Sequence, residues 1–114
     1  MRIVTDKIAF EELKQIADEK FGDLVKAVVD VEKEIMVLGG ELHSDGEALL
    51  LQNGSTQKDL WGINLYPGKY PNPDWIEFDS IINFRPTLGN KTRDIEDPKI
   101  RQKIIEILNK RIEK

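Results

Sequence analysis

Apolar residues recur along this chain in two rhythms: a three-four spacing near both ends and a two-residue alternation in between. The first marks amphipathic helices, the second half-buried strands. Phe10, Leu13, Ile16, Ala17 and Phe21 follow the helical spacing, with Glu11 and Glu12 in the first turn, where they complement the helix dipole. Gly22 follows as a left-handed cap. Asp23 then offers an N-cap, and Leu24, Val28, Val31, Ile35 and Leu38 repeat the spacing up to Gly39-Gly40, which predicts a second helix over 24–38. A strand competes there, because Val25, Ala27, Val29 and Val31 alternate and five valines disfavour a helix by about 2 kcal/mol in sum. The alternation fails at Glu32-Lys33-Glu34 while the helical stripe runs through it, so the helix is preferred.

Asp45-Gly46 suits a two-residue type I′ turn and predicts a hairpin of Glu41 to Ser44 with Glu47 to Gln52. Two further strands, Leu60 to Tyr66 and Trp75 to Arg85, flank a loop rich in Pro, Gly and Asn. In the register that sets Leu65 opposite Ile76 and Asn64 opposite Glu77, one face gathers Trp61, Ile63, Leu65, Ile76, Phe78, Ile82 and Phe84 as core. Met1 to Val4 reads as a short edge strand. A last helix starts at Asp97 as N-cap with Pro98 in its first position, burying Ile100, Ile104, Ile107, Leu108 and Ile112. The fold class that follows is α+β: a single domain over residues 1–114, a mainly antiparallel sheet with about three helices, two N-terminal and one C-terminal, packed on one face.

Composition narrows the chemistry. The chain has 114 residues, 33% of them charged, no Cys and one His, which excludes thiol catalysis, Cys-type zinc sites, a multi-His metal centre within one chain and a disulfide scaffold. No cofactor motif is present, so no cofactor and no metal site are expected. The N-terminal segment carries charges within its first dozen residues and lacks an apolar run, so neither a signal peptide nor a membrane span is expected, and the cytoplasm is the expected location. The net charge of −4 is uneven. Six basic residues against two acidic ones from Pro98 onward give that segment +4 and leave −8 for the rest. A basic helix could touch phosphates, but the acidic remainder repels a polyanion, so nucleic acid is not an expected partner.

The face opposite the core of the Leu60–Arg85 hairpin is where polar and aromatic groups converge: Asn64, Tyr66, Trp75, Glu77, Asp79, Asn83 and Arg85, with Gly62 leaving space at the backbone. Glu77 and Asp79 have the chemistry of cation ligands, and the planar fork of Arg85 suits a carboxylate or phosphate. The same face could equally pair its own charges across the strands, or form a dimer contact through Tyr66, Trp75 and Ile81. His43, sharing a strand face with Glu41, is the one candidate general base, with no nucleophile tied to it by motif. The loop Pro86 to Arg93, with Gly89, Lys91 and Arg93, has groups that cradle a phosphate but not P-loop spacing.

The strings DVEKEIMVLGGELHSDGEALLLQNGS, DLWGINLYP, FDSIINFRP and GNKTRDIEDPKIRQKI resemble, over nearly the whole chain, a family of small prokaryotic proteins catalogued only as a domain of unknown function. The resemblance implies a stand-alone cytosolic domain, supplies no catalytic residue, and draws attention to His43, Trp61, Asn64, Asp79, Asn83, Arg85, Asn90 and Asp97. The expected function is that of a non-enzymatic binding or interaction module that self-associates. The alternative is a small metal-assisted or hydrolase-like enzyme using Glu77, Asp79 and Arg85 with His43 as base.

Overall fold

A computed structural model describes residues 1–114. Strand β1 (Arg2–Val4), strand β2 (Ile8–Ala9) and helix α1 (Phe10–Lys20) open the chain. Strands β3 (Val25–Asp30) and β4 (Ile35–Leu38) form a hairpin, followed by helix α2 (His43–Gln52) and strand β5 (Leu60–Leu65). A short strand β6 (Ile76–Glu77), helix α3 (Pro98–Arg111) and strand β7 (Ile112–Glu113) complete it. The main sheet has the order β1-β4-β3-β5-β6 and every pairing in it is antiparallel, while β2 and β7 pair in parallel and tie the two ends of the chain together. The fold is α+β, with three helices and a mainly antiparallel five-stranded sheet.

Alternation along the strands divides the core. Val25, Ala27 and Val29 point with Met36, Leu38, Trp61, Ile63 and Leu65 to one face, where α1 supplies Leu13 and Ala17 and α3 supplies Ile104, Ile107 and Leu108. Val28, Val37 and Leu60 point to the other face, where Leu50 of α2 meets them. The helices therefore lie on both faces of the sheet, not on one. α2 is the element that the sequence pattern placed wrongly, and its location moves one helix across the sheet.

Two local elements differ from those the sequence pattern predicts. Residues 24–38 form a hairpin, not a helix, and Glu32-Lys33-Glu34, where the alternation stops, belongs to the turn. Buried Asp30 organises that turn: Oδ1 accepts the backbone N–H groups of Glu32 at 3.0 Å and Lys33 at 2.9 Å, and Oδ2 accepts the Ser55 hydroxyl at 2.6 Å. Glu34 adopts a left-handed φ of 58°. Conversely, residues 41–52 are not a hairpin, because Asp45-Gly46 lies in the first turns of α2. Gly46 is there for packing: a Cβ at this position would stand 2.9 Å from Val37 Cγ1 and 3.0 Å from Val28 Cγ2.

Alanine in place of glycine inside a helix ordinarily stabilises by about 1 kcal/mol. At Gly46 the sign reverses, since stiff β-branched side chains of the sheet cannot yield cheaply and overpacking costs about 1–3 kcal/mol. Gly46→Ala is expected to lower stability by about 1 kcal/mol in urea titrations, and an increase would show that α2 does not press on the sheet at this point.

Candidate functional site

The register of β5 with β6 is the one expected, Asn64 opposite Glu77 and Leu65 opposite Ile76. Lys26 of β3 stands opposite Asn64 on the other side, so Lys26, Asn64 and Glu77 form a row across three strands, on the sheet face that carries α2. The Asn64 amide donates to Glu77 Oε1 at 2.8 Å and to the Asp79 carbonyl at 3.2 Å, leaving its own buried Oδ1 without a partner. The Tyr66 hydroxyl donates to the same Glu77 oxygen at 3.1 Å. Asp79 accepts from Arg93 Nε at 3.0 Å and Nη2 at 3.4 Å.

His43 does not share a strand face with Glu41; it is the first residue of α2, buried, with Nε2–H donating to the Ile63 carbonyl at 2.8 Å. Burial disfavours the imidazolium and sets the pKa below the usual 6.5, the Ile63 carbonyl opposes, and the charges of Lys26, Asp79 and Arg93 act as smaller influences. Burial and the bond to Glu77 likewise raise the Tyr66 hydroxyl above its ordinary value. Of the candidate residues, His43, Asn64, Tyr66, Glu77 and Asp79 thus come together, joined by Lys26, which the sequence reading left out, and by Arg93, which it placed in a separate phosphate-binding loop. Strand alternation through Lys26 would have found the first; Arg93 arrives from a loop that no periodicity indicates.

Chemically this cluster is closed on itself. Its imidazole proton is engaged by a carbonyl, its carboxylates accept from Asn64, Tyr66 and Arg93, and no group of three or more His, Asp or Glu side chains is arranged to hold a metal ion. Tyr66 borders a cavity of about 440 Å³ with Lys14, Asp18, Asp23 and Lys69, but none of the five best-formed surface cavities, of 360–510 Å³, is lined by His43, Asn64, Glu77 or Asp79.

The remaining candidates lie elsewhere, because the strand expected over 75–85 ends at Glu77 and single-turn helices at Pro73–Trp75 and Ile81–Asn83 break the alternation on either side. Trp75 is 6% exposed in the main core against Phe10 and Tyr70, with ring centres 6.2 and 5.2 Å away. Ile82, expected in that core, joins the cluster under α2 instead, and Phe84 faces outward. Asn83 is buried and replaces a strand: Oδ1 accepts the Gly62 N–H at 2.8 Å and Nδ2 donates to the Gly62 carbonyl at 2.9 Å and the Arg93 carbonyl at 3.1 Å. Gly62 therefore makes room for protein rather than ligand, since an added Cβ would stand 2.6 Å from Ser80 Cβ. Arg85 Nη2 donates to Glu47 Oε2 of α2 at 3.0 Å, and its guanidinium carbon sits 5.3 Å from the centre of the Trp61 ring. Glu47 is a residue the sequence reading missed, and it becomes visible only once 43–52 is read as a helix.

The Pro86 to Arg93 loop is organised by buried Asn90, which donates to the carbonyls of Asn83, Thr92 and Asp94 and accepts the Glu96 N–H. The Lys91 N–H is itself taken by Glu96 Oε2, which leaves no phosphate cradle. On α3, Lys103 and Lys110 donate to Glu34 at 2.7 and 2.9 Å and Arg111 donates to its carbonyl at 2.9 Å. Half of the basic residues of that segment are thus spent on one turn. These two lysines hold the Glu34 carboxyl at about 2, well below the usual 4.5.

A family model described as "Protein of unknown function (DUF5674)" matches residues 2–111, and the chain belongs to that family. No curated protein and no solved structure matches it.

Two pH windows follow from these geometries. The unfolded chain protonates His43 near pH 6.5, before the folded chain does, so its contribution is full above that pH and declines as the pH falls below it. The Glu34 contribution is full above 4.5 and is lost down to about 2. In urea midpoints measured against pH, His43→Gln is expected to lose the first decline and keep the second, and Glu34→Gln the reverse; unchanged profiles would refute both assignments. Asn83→Ala, which leaves both backbone groups of Gly62 without their partner, is expected to cost about 2–4 kcal/mol in the same measurement.

Proposed function

We propose that this domain works by binding, not by catalysis, and that its contact surface is the segment from Ile81 to Leu88. One observation carries the reading: of the seven exposed large hydrophobic residues in the chain, Ile81 at 62%, Phe84 at 49% and Leu88 at 55% fall within eight consecutive positions. Scattered apolar residues on a surface need no explanation, whereas a cluster of them marks a contact site. An aromatic ring next to a desolvated arginine is also the composition favoured at the centre of interfaces. The segment is rigid, because Asn83 anchors it to Gly62 and Asn90 closes the loop behind it, so little entropy is lost when a partner docks. The enzyme alternative draws no such support, since His43, Glu77, Asp79 and Arg85 each bond within the protein and do not converge on a cavity.

A second copy of the chain is the occupant to test first, because apolar surface meets its own copy without charge mismatch, and two-fold dimers use the same patch twice. Sedimentation velocity over a range of concentrations is expected to show a dimer that Phe84→Ser with Leu88→Ser abolishes. These exposed positions should change stability by no more than about 0.5 kcal/mol. A dimer untouched by the double substitution would remove the segment from the interface, and a monomer at every concentration would remove the second copy.

A further inference from the structure

The C-terminal end of α1 carries charges of the wrong sign for its dipole. Asp18 lies in the last turn and Asp23 just past the left-handed Gly22, beside a helix end that already bears partial negative charge. Both carboxylates are exposed, and neither is in an ion pair. Lys14, one turn before Asp18 on the same face, is the cation placed to join it. It leans away, 5.4 Å from the centre of the Phe10 ring and 3.9 Å from Glu11 Oε2. Lys20, the basic residue of the last turn, borders other cavities.

The two acids border the cavity of about 440 Å³ that α1 and the turn after it share with the Tyr66–Lys69 segment. Small-molecule sites occupy about 300–1,000 Å³. Lys69 is in no ion pair either; its ammonium stands over the Tyr66 ring, 4.8 Å from the centre. Asp23 faces the same space, since its charge acts on the Tyr66 hydroxyl after burial and the Glu77 carboxylate. Free charges of both signs thus share one cavity with an aromatic ring, Ala17 and Pro67. Gly68 is an independent observation on the same lining. Its φ is not left-handed and an added Cβ would meet nothing within 4 Å, so neither backbone nor packing calls for glycine. Close approach of a ligand to the backbone does.

We propose that this cavity binds a free α-amino acid with an apolar side chain. Asp18 and Asp23 take its ammonium at the helix end, where a positive charge is favoured, and Lys69 takes its carboxylate. The side chain lies against Ala17, Pro67 and the Tyr66 ring. A simple amine meets repulsion from Lys69 and a simple carboxylate meets it from the two acids, so a ligand that carries both charges matches the lining better than either. The cavity shares no residue with the Ile81–Leu88 segment, so the site goes beyond that contact surface and fails or holds separately from it.

The test is a ¹H–¹⁵N NMR titration at pH 7 and constant ionic strength with L-leucine, 3-methylbutylamine, which lacks the carboxylate, and 4-methylpentanoate, which lacks the ammonium. Leucine is expected to give saturable shifts at Asp18, Gly22, Asp23 and Gly68, with the amine weaker by about fivefold and the carboxylate by about tenfold or more. Lys69→Gln is expected to bring leucine down to the affinity of the amine without weakening the amine itself. Asp18→Asn with Asp23→Asn is expected to weaken leucine by about tenfold. Gly68→Ala is expected to weaken leucine while the urea midpoint does not fall, which separates a filled site from a damaged fold. No saturation with leucine, shifts confined to another surface, an amine that binds as tightly as leucine, or variants that bind leucine like the wild type would each overturn the proposal.

Discussion

The pairing of the Asn83 amide with the backbone of Gly62 is the contact on which this half of the molecule depends. β6 covers β5 only at Asn64 and Leu65, so Gly62 would otherwise present an open sheet edge. A side-chain amide carries a donor and an acceptor in nearly the geometry of a peptide group, and Asn83 uses both on one residue. Sheet edges left bare invite pairing with other chains, and an amide closes this one without adding a strand. The consequence is a change of backbone type. Freed from the ladder, residues 81–83 and 86–88 form single-turn helices around an extended Phe84-Arg85, and that change turns Ile81, Phe84 and Leu88 outward while it brings Arg85 to α2.

A second constraint acts at the far end of the sheet. Glu34 sits in a left-handed conformation at the β3–β4 turn, which is unfavourable for a side chain with a Cβ, and it accepts from Lys103, Lys110 and Arg111 of α3. The basic C-terminal segment and the acidic remainder are therefore complementary within one molecule. A net charge of +4 on the last helix describes an internal contact more than a surface offered to polyanions.

How much of this was legible in the sequence depended on whether local pattern or distant packing decided each element. α1, α3 with its Asp97 cap, the β1 edge and the Asn64–Glu77 register were readable, because spacing, capping and strand parity are local properties. Residues 24–38 satisfy a helical stripe and an alternation at once; the strand form pairs with β5 and bonds Asp30 to Ser55, contacts 25 or more positions away that no window contains. Asp45-Gly46 has the composition of a tight turn, yet Gly46 is a glycine because of Val28 and Val37 on the sheet below. The candidate site divided in the same way. The row around Asn64 followed from parity as far as Glu77 and failed beyond it, at Asn83 and Arg85, where side-chain amides replace the ladder.

The Arg85–Glu47 pair bears on what kind of molecule this is. Taking two charges out of water costs several kcal/mol per ion, and the mutual attraction repays this only when the remaining donors and acceptors are also satisfied. That condition fails at Nη1. An apolar pair of similar volume between α2 and the 81–88 segment would hold the two together at lower cost, so stability alone is a poor reason for a guanidinium here. The polar cluster around His43 shows the contrast: there the carboxylates and the imidazole bond within the protein, and the one buried atom without a partner is an uncharged amide oxygen. The His43 cluster is satisfied architecture, whereas at Arg85 a buried charge keeps one donor unfilled.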